Sequence, residues 1–132
     1  MRLQSLSRLT PHLQSALRIV AAFIFVAHGT QKLFGVPGAG PQSTVPLASL
    51  MGAAGVLETV GGALMVLGLF TRPVAFLLSG QMAIAYYIRH RPAGPWPIMN
   101  GGELAVLFCF IWLFFVAAGP GPWSLDALRK RM

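Results

Sequence analysis

Residues Leu47 to Phe70 read LASLMGAAGVLETVGGALMVLGLF, a run with no proline and one charged side chain, Glu58. At about 1.5 Å of rise per residue, a helix of this length crosses the roughly 30 Å hydrocarbon core of a bilayer. Glu58 falls near its middle, where a carboxylate facing lipid is costly and one facing a bundle interior is the default. Met51, Gly55, Glu58, Gly62 and Met65 recur at helical intervals and share a face. Small residues on that face let a second helix approach closely, so Glu58 is expected to point inward.

Comparable runs lie on both sides. The pattern predicts four membrane-spanning helices, at about 16–34, 47–70, 73–88 and 100–118, forming an all-α, polytopic four-helix bundle that occupies 1–132 as one domain. The intervening segments are helix breakers. Gly35 to Pro46, GVPGAGPQSTVP, is a loop; Thr71-Arg72-Pro73 is a tight connection with Thr71 as expected N-cap; and Gly119-Pro120-Gly121-Pro122 ends the last span. Ahead of the first span, Leu3, Leu6, Leu9 and Leu13 recur at spacings of three and four. They predict a short amphipathic stretch lying against the membrane, with Thr10-Pro11 as a helix start. No convincing cleavage site follows the first apolar run, which is read as an uncleaved anchor.

Composition agrees. Of 132 residues, 55% are hydrophobic and 10% charged, and the mean hydropathy is +0.68. A soluble surface carries more than twice that share of charge, and no separate soluble catalytic domain is expected. The net charge of +7 would suggest nucleic acid in a soluble chain. Here the bases sit between apolar blocks, where they set topology and meet anionic headgroups, so no nucleic-acid partner is expected. Arg2, Arg8, Arg18, Arg72, Arg129, Lys130 and Arg131 fall on one side, against Lys32, Arg89 and Arg91 on the other. That asymmetry puts both termini in the cytoplasm. Cys109 is the single cysteine, so neither an intrachain disulfide nor a two-thiol redox pair can form. Redox chemistry would need a borrowed cofactor or partner.

Depth groups the polar residues. Helical rise puts Lys32 about 21 Å and His28 about 15 Å above Arg18, with Glu58 and Glu103 about 21 and 24 Å above the same boundary. Arg18, His28, Lys32, Glu58 and Glu103 are thus the candidate buried polar cluster, four of them in one layer of the outer half of the membrane. Each also has a structural reading. Glu103 stands at capping-box spacing from Asn100, Lys32 and Arg18 can snorkel to opposite interfaces, His28 can hydrogen-bond a neighbouring helix, and Glu58 can be the ion-pair partner of Lys32 or Arg18. Tyr86, Tyr87, Trp96 and Trp112 could line a quinone pocket or serve as belt and packing residues. His28 and His90 are too little to argue for haem, and no metal-ligand spacing, phosphate loop or nucleophile with its base is present.

The segments RIVAAFIFVAHGTQKLFG (Arg18 to Gly35), GVLETVGGALMVLGLFTR (Gly55 to Arg72), NGGELAVL (Asn100 to Leu107) and GPGPWSLD (Gly119 to Asp126) together resemble the DoxX family of small four-helix membrane proteins. The resemblance implies a multi-pass protein of the bacterial inner membrane, some of whose relatives are subunits of quinol-linked or thiosulfate:quinone oxidoreductases while others are linked to thiol and oxidative-stress defence or to membrane assembly. The family's polar positions fall on Arg18, His28, Lys32, Glu58 and Glu103.

Two functions are therefore expected. The first is an accessory or anchor subunit of a quinone-linked redox system rather than an independent enzyme, with no intrinsic cofactor and a quinone headgroup at the polar layer. Glu58 would accept a proton, His28 would pass it, and Lys32 or Arg18 would supply the counter-charge. The second is a non-enzymatic scaffold or assembly factor in which the polar layer only organises the helices. Expected partners are the bilayer and a soluble or membrane redox protein, or a second copy of the chain.

Overall fold

The computed structural model describes residues 3–132, with side chains from Ser5 onward; Arg2 and the Leu3 side chain lie outside the described residues. The described chain is helical throughout and holds no strand. Helix α1 (Leu3–Ser7) is separated by a turn from α2 (Thr10–Phe34), and α3 is continuous over Leu50–Leu67. Helix α4 (Thr71–Ala85) is prolonged by a π-helical turn, Tyr86–His90. Short α5 (Pro97–Asn100), apolar α6 (Glu103–Ala118) and terminal α7 (Leu125–Arg129) complete the order. Two segments, Ser5–Phe34 and Leu50–Leu67, are long and apolar enough to cross a membrane.

Local chemistry explains most boundaries. Pro11 occupies the first turn of α2, where a missing N–H leaves nothing unpaired, and Gly35 ends that helix in the left-handed conformation at φ 70°. Ser49 caps α3 by accepting from the Gly52 N–H at 3.0 Å, three residues inside the expected start. Two expected caps differ. Helix α4 begins at Thr71 itself, whose N–H is capped from elsewhere in the chain, and α6 begins at Glu103 rather than Asn100. Asn100 closes α5 instead, accepting from the Gly102 N–H at 2.9 Å. Its carbonyl end is consumed in that turn, so the capping-box geometry with Glu103 does not form.

The helices pack as two pairs. Helix α2 lies along the whole of α3, and α4 lies along α6. Gly62 makes the first pairing possible, since a Cβ there would stand 2.7 Å from Val26 Cγ2, and Gly61 would meet Leu78 in the same way at 2.8 Å. An aromatic cluster joins the pairs: Phe25 meets Phe108 and Trp112 at ring separations of 5.1 and 5.3 Å, beside buried Met65, Leu78, Met82 and Phe115. The remaining large side chains face outward, among them Phe23, Phe76, Ile84, Leu107 and Phe110, with Leu6, Leu9 and Leu13 at the N-terminal end. Apolar surface on every outer face suits lipid, not water.

The pairs meet closely at the Arg18 end and part at the Lys32 end. Residues 57–67 of α3 touch α4, whereas its first turns, Leu50–Val56, barely do. That divergence positions the site.

Candidate functional site

Glu58 is 2% exposed, the most deeply buried carboxylate of the described chain. Lys32 Nζ donates to both its oxygens at 2.6 Å, and Gln81 Nε2 donates to Oε1 at 3.2 Å. Three helices thus converge on one carboxylate: α2 supplies Lys32, α3 Glu58 and α4 Gln81. Local backbone makes the approach possible. Residues Leu57–Gly61 form a π-helical turn, a feature that re-aims side chains and concentrates at functional sites. Gly55, one turn earlier, lies so close to α2 that an added Cβ would stand 3.3 Å from the Lys32 Cβ.

Above the pair, the parted helices line a half-open cavity of about 380 Å³. Its apolar wall includes Phe25, Met51, Met82 and Phe108, and its polar lining is His28, Lys32, Glu58, Arg89 and His90. The His28 and Phe108 rings meet at 83° with their centroids 6.5 Å apart. His90 Nδ1 lies 3.2 Å from the Asn100 carbonyl and its ring stacks on Tyr86 at 6.3 Å. Asn100 in turn donates to the Tyr86 hydroxyl at 3.2 Å and to the Gly94 carbonyl at 2.9 Å. The loop after α4 is thereby tied down where it forms the cavity rim.

His28, Lys32 and Glu58 are therefore together. Glu103 is exposed in the first turn of α6, a favourable end for a carboxylate, and does not line the cavity. Arg18 is fully buried but lies at the opposite end of the bundle. Its guanidinium donates to the carbonyls of Met65 and Val66, the last turn of α3, and to those of Pro120 and Trp123. Glu58 is not its partner.

Around Arg18 the helix ends are closed by side chains from distant segments. The Asp126 carboxylate accepts from the Phe70 and Thr71 N–H groups at 2.9 Å each, capping α4 from α7. Burial pushes this carboxyl up, but hydrogen bonds from Thr71 and Phe70 and the charge of Arg129 outweigh it and hold Asp126 below its ordinary range. Arg72 Nη1 donates to the Val116 and Ala117 carbonyls at 2.7 and 2.6 Å, and Gln14 to that of Gly119 at 2.8 Å, together closing α6. In the sequence Arg72 stands out only as a topology signal, and Gln81, Gln14 and Asp126 carry no local mark of these roles. Asp126 carried one signal, a Ser-Leu-Asp sequence behind a Gly-Pro stop, but nothing local says that it caps a helix 55 residues earlier.

The DoxX family profile matches residues 13–91. An uncharacterized protein of Haemophilus influenzae is 43% identical over 130 residues, covering 94% of this chain and 96% of the relative. An uncharacterized membrane protein of Mycobacterium tuberculosis is 29% identical over 131 residues, covering 87% and 80%. No solved structure matches the chain. The matched region holds Arg18, His28, Lys32 and Glu58 together with the α2–α3 pairing and all of α4, and the chain belongs to the DoxX family of membrane proteins.

Proposed function

We propose that the chain is a multi-pass protein of the bacterial inner membrane, spanning it four times with both termini in the cytoplasm, and that it serves as an accessory or anchor subunit of a quinone-linked redox system. The cavity beside Lys32 and Glu58 is the observation that carries this reading. Its donor set suits a quinone headgroup. Lys32, Arg89, His28 and His90 offer N–H groups to carbonyl oxygens, Phe25 and Phe108 supply apolar lining, and the one carboxylate present is already engaged by Lys32 and Gln81. A bound quinone would supply the electron-accepting chemistry that these side chains lack. The chain's own contribution is to hold the head by N–H donation, exclude water from the apolar wall, and keep a proton site on Glu58 with His28 on the same α2 face as Lys32.

One observation favours the scaffold reading. The Lys32–Glu58–Gln81 arrangement satisfies both carboxylate oxygens without any ligand, as a purely structural pair would. Purification from membranes in mild detergent separates the two. Quinone recovered in stoichiometric amount supports the subunit reading; no quinone, with a stable co-purifying membrane protein, supports the scaffold.

A further inference from the structure

The gap between the helix pairs holds two hollows. Beside the polar cavity, across the line where α3 faces α4, runs a groove of about 360 Å³. Leu50, Leu57, Phe76, Leu77 and Ile84 wall it, and Gln81 and Arg89 are its polar contributors. Phe76, Leu77, Ile84 and Ile88 are also exposed on the outer face, so the groove opens sideways to the surface that suits lipid. Gly80 is an exposed part of its lining, and an added Cβ there would meet nothing within 4 Å.

The hollows adjoin, sharing a wall. Met51, Ala54, Ala85 and Arg89 line both, at the level where the first turns of α3 stand off from α4. The seam therefore consists of two alanines, one adaptable methionine and one arginine. Beneath it, Gln81 Nε2 reaches the Ala54 carbonyl at 3.4 Å and Glu58, while its Oε1 is buried with no hydrogen-bond partner among the described residues.

We infer that the ligand of the cavity is an amphiphile with a flat, oxygen-bearing head and a single hydrocarbon chain, which enters sideways from the bilayer between α3 and α4 and leaves its chain in the groove. This rests on the reading of the cavity as a headgroup site. Arg89 stands at the junction, where its guanidinium meets the head while its stem lies along the apolar groove. The chain gains little from the transfer itself, because lipid tails are as apolar as the groove. The groove orients the molecule, and the polar contacts of the head supply the affinity. Gln81, touching Glu58 on one side and the groove on the other, is the positioning residue between the two parts.

The test is photolabelling of the whole protein in phosphatidylcholine–phosphatidylglycerol nanodiscs. The probe is a dimethoxy-methyl-benzoquinone bearing a decyl chain with a diazirine midway, and binding of the tailless quinone is measured in parallel by titration. Adducts are expected on 76–88 and 50–57, displaced by excess tailless quinone and reduced at least ten-fold by Gly80→Phe, which sets a ring into the groove lining. Leu113→Phe, on the outer face of α6, serves as the control and should keep the labelling. Saturable tailless binding with adducts spread evenly over the outer faces, or unmoved by Gly80→Phe, overturns the inference and leaves the cavity reading standing. No tailless binding and no displaceable adduct sinks both.

Discussion

Glu58 carries the account at the scale of single residues. Its place was legible because a lone carboxylate in the middle of an apolar run must face inward, and helical rise then put Lys32 at the same depth. Gln81 was not legible, since an amide in an apolar helix can lie on any face and nothing local selects one. Removing the Glu58 charge strands Lys32 beside the cavity. Breaking a fully buried pair costs about 3 to 5 kcal/mol, and the low end applies because the Lys32 side chain keeps 24% exposure. Glu58→Gln should therefore lower stability by about 3 kcal/mol in detergent unfolding. The exchange Lys32→Glu with Glu58→Lys should recover much of that loss, because the pair persists with its sign reversed. Equal stability of Glu58→Gln and wild type would mean that the pair contributes nothing.

Elements show how far local signals reach. Helix existence followed from hydrophobic runs, and Gly55 and Gly62 marked a close helix contact, whose partner the structure identifies as α2. Gly62→Leu should wedge Val26 away and lower the melting temperature, while Ala63→Leu on the exposed side of the same turn should leave it nearly unchanged. If both melt alike, that contact does not hold the pair together. The helix ends were less legible because their caps come from far along the chain. Arg18 closes α3, Arg72 closes α6 and Asp126 closes α4, each across a separation that periodicity cannot register. Asp126→Ala should cost about 1 kcal/mol at neutral pH, as loss of an N-cap does. The folded Asp126 binds its proton more weakly than the unfolded carboxyl, so its contribution is complete above the ordinary carboxylate range and fades as pH falls through the folded value. The melting difference between wild type and Asp126→Ala should accordingly shrink below about pH 4. A difference that stays constant into acid would show that the cap does not depend on charge.

For the whole molecule, the four apolar runs were readable but the parting of the two helix pairs was not. It depends on where α3 and α4 cease to touch, a matter of crossing geometry rather than of any one residue. Orientation is tested by impermeant thiol labelling after Cys109→Ser. Ser43→Cys, in the exposed loop after α2, should label in intact cells, and Lys130→Cys, exposed in the last turn at the C-terminal end, should label only after lysis. The reverse pattern would invert the topology.

The central claim is that the parted end of the bundle is a binding cavity and not a packing defect. It is tested most directly by titrating a tailless benzoquinone into the purified protein in nanodiscs, against a variant in which Ala54→Phe fills the space where cavity and groove meet. Saturable binding to wild type at one site per chain is expected, weakened at least ten-fold in the variant. Uptake that rises linearly and equally in both, as simple partitioning into lipid would, contradicts it.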